Sequence, residues 1–156
     1  MSHRGNIIEL AKLSGHEEQK QQILKDLGDL AQYDLLDDEC LIAIYAESNV
    51  LSSGVDATGK QFALYGTENR STESRYQGKV GLLVKAGPTA FKYHNNGQAY
   101  EGEIPEVGDW VVTHPSDGRE IWLRDADAPK GTPWVTCRRL KWPGIFMRVA
   151  DPRIVR

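Results

Sequence analysis

The chain has 156 residues, 40% hydrophobic and 26% charged, which is the composition of one ordinary globular unit or of one unit with an appendage. A formal net charge of −3 leaves no basic footprint, so nucleic acid is not the expected partner. No apolar run approaches the roughly 18 residues of a membrane span, and the first residues lack a signal-peptide core, so neither a membrane nor export is expected.

Residues 1–39 read as an arm. Its one clear helical pattern is "SGHEEQKQQILKDLGDLAQYDLL" (14–36), where Ser14 and Glu17 stand three apart, as a capping box requires. Ile23, Leu27, Leu30 and Ala31 then fall on one stripe, with Glu18, Gln22, Lys25 and Asp29 on the opposite face. A one-sided helix must bury its stripe, on its own domain or on a partner; Ile23, Leu27 and Leu30 are therefore candidate partner-binding residues. Gly28 weakens the helix slightly.

From Cys40 onward the character is β. "CLIAIYA" (40–46) fits a strand buried on both faces, and a long turn-rich region (47–77) follows, broken by the apolar patch Phe62, Ala63, Leu64 and Tyr65. A connection of that length in a compact domain is usually functional. "GKVGLLVKAG" (78–87) is the next strand. "FKYHNNGQAYEG" (91–102) carries Asn96-Gly97 between β-prone arms, the signature of a type I′ hairpin tip. "EVGDWVVTHP" (106–115), "REIWLR" (119–124), "WVTCRRL" (134–140) and "GIFMRVA" (144–150) complete a series of short strands separated by "PSDG", "DADAPKGTP" and "WPG". Many short strands with such punctuation predict a small β-barrel or sandwich.

Several stretches invite a chemical reading and lose to a plainer one. "GVDATGKQ" (54–61) has the spacing of a phosphate loop, but Gln61 replaces the magnesium-binding hydroxyl and "QFALYG" looks extended rather than helical. "HPSDG" (114–118) holds a His, a Ser and an Asp, yet a triad is assembled from separate elements, whereas Pro115, Asp117 and Gly118 are turn formers. His3, His16 and His94 are scattered. Cys40 and Cys137 lie in no zinc motif and read as reduced, buried thiols in a cytoplasmic setting. Asp125 and Asp127 lack the glycine and distal glutamate of a calcium loop. "CRRLKW" (137–142) is a basic patch suited to salt bridges with a neighbouring strand or subunit. The four tryptophans, in or beside strands, read as core or interface. The expectation is a non-enzymatic protein without metal or cofactor, built for binding and assembly.

The order of parts resembles the GroES-type co-chaperonin family. The resemblance runs over residues 40–155: the strand "CLIAIYA", a long loop with Phe62-Ala63-Leu64 in the place of an apolar tag, "GKVGLLVKAGP" (78–88), a hairpin tip "HNNGQ" (94–98), "PEVGDWVV" (105–112), and a closing "IFMRVADPRIV" (145–155). The turn "PSDG" followed later by "CR" resembles divergent phage-encoded members. The resemblance implies a mainly β fold, a small GroES-like β-barrel (40–156) with a long loop (47–77) and a roof hairpin (88–105), beside the N-terminal amphipathic helix. It also implies a ring in which first and last strands pair with neighbours, and a tag that docks in a partner's groove.

Three features depart from the family pattern: residues 1–39 have no counterpart, "FALY" is bulkier than the family's compact aliphatic tag, and "DADAPKGTP" lengthens a short turn. They favour a homo-oligomeric structural component of a phage virion, of the capsid decoration or cement type. That component would assemble in the host cytoplasm and bind neighbouring virion proteins through its arm and long loop. The alternative is a phage-encoded co-chaperonin in the host cytoplasm, capping a host GroEL-type chaperonin through the loop to assist capsid protein folding.

Overall fold

The computed structural model describes residues 5–13, 15–46, 50–55, 61–65 and 79–155, with the backbone alone at 7, 8, 50–55 and 61–65. Two helices, α1 (Ile7–Ala11) and α2 (His16–Leu27), precede eight strands: β1 (Glu39–Ile44), β2 (Val50–Val55), β3 (Gln61–Tyr65), β4 (Val80–Ala86), β5 (Trp110–Thr113), β6 (Arg119–Leu123), β7 (Val135–Lys141) and β8 (Ile145–Val149). Six of them form one antiparallel sheet in the order β6-β7-β1-β4-β5-β8, and β2 and β3 form a separate two-stranded sheet. The fold is mainly β. The large sheet is open, since β6 and β8 do not pair with each other.

Both faces of the large sheet are apolar, which is why β1 and β4 read as continuous hydrophobic runs. One face joins Leu41, Ala43, Leu82, Val84, Trp110, Val112, Val135 and Cys137 to Leu10, Ala11, Ile23 and Leu27 of the helices. The other gathers Cys40, Ile42, Leu83, Val111, Leu140 and Ile145 with Ala90, Phe91 and Trp142 from the connections. Cys40 and Cys137 therefore lie on opposite faces, three positions apart in the β1–β7 ladder, and both are free thiols.

The sheet curls strongly toward the second face. Residues 114–118 link β5 to β6, which lie four strand spacings apart, about 19 Å in a flat sheet. The link is a tight turn closed by Asp117 N–H donating to the His114 carbonyl at 3.1 Å. Only curvature brings its ends together. Arg138 of β7 holds the curl: it is 7% exposed, and its Nη1 donates to the carbonyls of His114 (2.9 Å) and Asp117 (3.4 Å) while its Nη2 donates to Thr113 Oγ1. Gly118 lies flush on β7. A Cβ there would stand 2.4 Å from the Arg139 carbonyl oxygen, and its φ of 77° already favours glycine.

The helical arm differs from expectation at both ends. Ser14 lies outside the described residues. The residue capping α2 is Gly15, in extended conformation and without a side-chain cap, so the helix starts one residue later than a Ser14 cap would place it. It stops at Leu27, far short of residue 36, because Gly28 turns to φ 69° and its bare α-carbon abuts Asp125, whose Oδ2 would be 2.3 Å from a Cβ. Gly28 is thus a terminator, and Leu30 heads a short 3₁₀ turn (Leu30–Gln32). The five-residue α1, with no long periodic pattern of its own, is an element the sequence pattern does not announce.

Two further expectations change. The long region 47–77 contains the β2–β3 hairpin, where Gly54 pairs with Phe62 and Ser53 with Ala63. The tip at Asn96-Gly97 is not type I′, since among these residues only Gly97 has positive φ (85°). Gly97 N–H donates to the His94 carbonyl (2.9 Å) and His94 N–H to the Gln98 carbonyl (2.7 Å), which is a three-residue loop of the bulged kind.

Replacing Arg138 by Ala strands the Thr113 hydroxyl and two carbonyls, and is expected to cost about 2–4 kcal/mol in urea denaturation. Arg138→Lys is expected to recover less than half, because one ammonium cannot reproduce the fork that spans Thr113 and the turn.

Candidate interaction surfaces

The apolar stripe of α2 is already occupied. Ile23 and Leu27 are fully buried in the chain's own core, and Leu30 packs against the same cluster. Of the two places the sequence leaves open for the stripe, its own domain or a partner, Ile23 and Leu27 are spent on the chain's own sheet, which offers an apolar face. Two polar residues of the helix are buried with them. Gln19 donates from Nε2 to the Ala46 carbonyl (2.7 Å) and accepts at Oε1 from Ala46 N–H (3.3 Å), so its amide caps the end of β1 as a further strand would. Asp26 accepts at Oδ1 from Gln22 Nε2 at 2.9 Å.

The long turn 125–133 belongs to the same junction. Asp125 N–H donates to the Asp26 carbonyl (3.1 Å) and Ala126 N–H to Gln32 Oε1 (3.2 Å), while Arg124 lies 4.2 Å from the centroid of the Trp134 ring. On β4, the Lys85 ammonium donates to the carbonyls of Leu30 (2.8 Å) and Tyr33. The arm is thereby held by backbone bonds that its own sequence does not reveal.

Of the other anticipated site residues, Phe62, Ala63, Leu64 and Tyr65 form β3, and their side chains lie outside the described residues. Asn96 and Gly97 stand exposed at the hairpin tip, where Asn96 Oδ1 accepts from Gln98 N–H at 3.0 Å. The hairpin is anchored by stacking: Tyr100 and His94 lie 5.0 and 5.5 Å from the buried Trp142 ring. In "HPSDG" the His114 ring packs on Phe146 (5.2 Å) and its carbonyl serves Arg138. In "CRRLKW" Arg139 pairs with Glu39 of β1 at 3.0 Å, a bridge to a neighbouring strand.

Among the described residues, the two ends of the large sheet carry exposed apolar side chains. On β8, Phe146 and Met147 are 57% and 54% exposed, and its one charge, Arg148, is already engaged by Glu103 (2.7 Å) and Asp109 (3.5 Å). On β6, Ile121 and Trp122 are exposed beside Trp134. An edge strand offers a row of unpaired backbone donors and acceptors, and soluble proteins usually blunt such edges with charge or proline. Strand β8 has neither device free. Strand β1, which the family resemblance would put at an interface, lies in the sheet interior between β4 and β7 and has no open edge.

Burial governs the titration of the thiols. It pushes Cys40 up to about 12, with help from Asp38 and Glu39, and pushes Cys137 up to about 12. Burial likewise lowers Arg138, with Asp117 and Glu120 opposing, and raises Tyr33. Arg153 holds the Asp151 carboxyl well below the usual range through side-chain and backbone hydrogen bonds. Among the described residues no group of His, Cys, Asp and Glu side chains is arranged to hold a metal ion, and no helix is long and apolar enough to cross a membrane.

In comparisons with known proteins, no family model matches the chain and no curated protein matches its sequence.

Because the thiols ionise near 9.0 when exposed and near about 12 when buried, the unfolded chain releases their protons first. Their contribution to stability is complete below pH of about 9 and is lost as pH rises toward about 12. Urea midpoints are expected to fall over that window, and the Cys40→Ala, Cys137→Ala double variant should show a shallower fall, Tyr33 supplying part of the remainder. For the arm, Leu27→Ala is expected to cost about 2–5 kcal/mol of stability, as for any large-to-small core change, and to leave any self-association constant unchanged.

Proposed function

We propose that this chain is a non-catalytic assembly subunit, a GroES-like barrel used as a structural component of a phage particle and joined to copies of itself along β8. The carrying observation is the β8 edge, with Phe146 and Met147 outward and its only charge engaged at home. Antiparallel pairing along such an edge satisfies backbone groups that water otherwise holds, and burial of the two side chains adds about 25 cal/mol per Å² of apolar surface. The barrel reading draws on the curl forced by the 114–118 turn and on the order of motifs from Cys40 to Val155. The virion reading rests on the resemblance to phage-encoded members; the arm, which that reading has clamp a neighbour, is packed at Leu10, Ala11, Ile23 and Leu27 on the subunit's own sheet, so the contact with copies is assigned to β8 instead.

The co-chaperonin reading has its own support: the tag Phe62–Tyr65 is extended and lies on a hairpin separate from the main sheet, a form suited to docking in a groove.

Native mass measurement distinguishes a defined oligomer from a monomer. The assembly reading expects an oligomer that Phe146→Lys, Met147→Lys converts to folded monomer, and co-sedimentation with virus particles. Nucleotide-dependent binding to a GroEL-type chaperonin, abolished by Phe62→Asp with Leu64→Asp, would instead establish the co-chaperonin. A monomer at all concentrations refutes both.

A further inference from the structure

Where β6, β7 and β1 run side by side, the sheet places like charges directly opposite each other. Arg119 of β6 is the register partner of Arg139 of β7, and Lys141 lies two residues along β7 on the same face. Directly opposed like charges across an antiparallel pair are unfavourable, with Cβ atoms only about 4.5–5.5 Å apart. The neighbouring strand supplies one carboxylate, and it is spent on one cation: Glu39 stands opposite Lys141 in register, yet its Oε2 takes the Arg139 Nε at 3.0 Å along the diagonal. Among the described residues neither Arg119 nor Lys141 has an ion pair.

These side chains do not splay over a flat surface. With Asp117, Gly118 and Leu140 they line a pocket of about 330 Å³. Gly118 adds bare backbone to the lining, because the 114–118 turn comes too close to β7 to leave room for a Cβ there. Three cations therefore line one concavity, together with Asp117 and with Glu39, which Arg139 engages.

We propose that this pocket is a binding site for a small phosphate-type oxyanion, free or as a phosphate monoester. Arg119 and Lys141 supply the two uncommitted positive charges. Arg139 keeps its Nη donors for the ligand while Nε holds Glu39, which fixes the guanidinium plane. The bound oxyanion bridges Arg119 and Arg139 and turns their repulsion into two charge-assisted contacts. The two carboxylates set the selectivity: they repel multiply charged polyanions and accept hydrogen bonds from hydroxyls beside the phosphate. The site does not depend on the assembly reading, because all its residues come from one chain.

The test is calorimetric titration of the full chain with inorganic phosphate, and separately with glycerol 3-phosphate, in chloride at constant ionic strength. Saturable binding is expected with both. Arg119→Gln and Lys141→Gln should each weaken it about tenfold, the loss of one charge-assisted contact, and Lys130→Gln, a cation in the turn at the other end of the β6–β7 ladder, should leave it unchanged. Without phosphate, Arg119→Gln should be at least as stable as the parent, because it removes the opposed charge. The proposal is overturned if phosphate gives no saturable heat, if Arg119→Gln and Lys141→Gln bind like the parent, or if Arg119→Gln is markedly destabilised without ligand. Binding of a single-stranded oligonucleotide with no binding of inorganic phosphate would equally reject it, as the mark of a backbone-tracking surface.

Discussion

Five residues must carry the chain from β5 to β6 across a gap filled by three other strands, and the rest of the molecule follows from that requirement. The sheet has to curl, and a curled sheet needs something on its inner side to hold the two distant strands together. Arg138 does this with one guanidinium that reaches a side-chain hydroxyl and two carbonyls. A buried cation is costly unless its donors are satisfied. Here the partners are neutral dipoles from a turn whose shape is set by the same contacts, so clasp and turn define each other. The Arg138 Nε finds no protein partner and lies buried, so the clasp is not fully satisfied.

Curling leaves a broad outer face that is also apolar, and the helices answer that need. The arm is not an addition tethered to a finished sheet. Ile23 and Leu27 share a buried cluster with residues from β1, β4, β5 and β7, and the extended turn 125–133 reaches back to fasten the segment just after α2. Arm and lengthened turn, the two departures from the family pattern that are described here, meet at one junction.

The positions of β1, β4 and β5 could be read from the sequence because residues buried on two faces make unbroken apolar runs; β6, β7 and β8 could be read as short β-prone runs whose ends are marked by turn clusters. Their spatial order could not, since it depends on which strands the curl brings together. Gly28 looked like a mild flaw in a helix because its partner, Asp125, lies far along the chain. Nothing in the helical pattern marks Gln19, whose amide bonds the backbone of Ala46, because its partner lies 27 residues along the chain. Arg138 looked like part of a basic surface patch, because "CRRLK" does not say which side chain points inward until the sheet face is known. The β2–β3 hairpin was hidden by polar composition, "VLSSGV" having little of the alternation that marks a half-buried strand. The Arg119–Arg139 opposition is likewise a property of register and not of either strand alone.

The placement of the two cysteines on opposite faces of the sheet gives the molecule a pair of internal reporters. Cys40 belongs to the layer enclosed by the curl, and Cys137 to the layer closed by the helices. Neither can be joined to the other without turning a strand over, so an oxidant leaves the native fold uncrosslinked. A thiol reagent, in contrast, reaches each sulfur only when its own layer opens. The order in which the two are modified under mild denaturation tells whether the arm lifts from a still-curled sheet or the curl relaxes first, which distinguishes peeling from collapse without any added label.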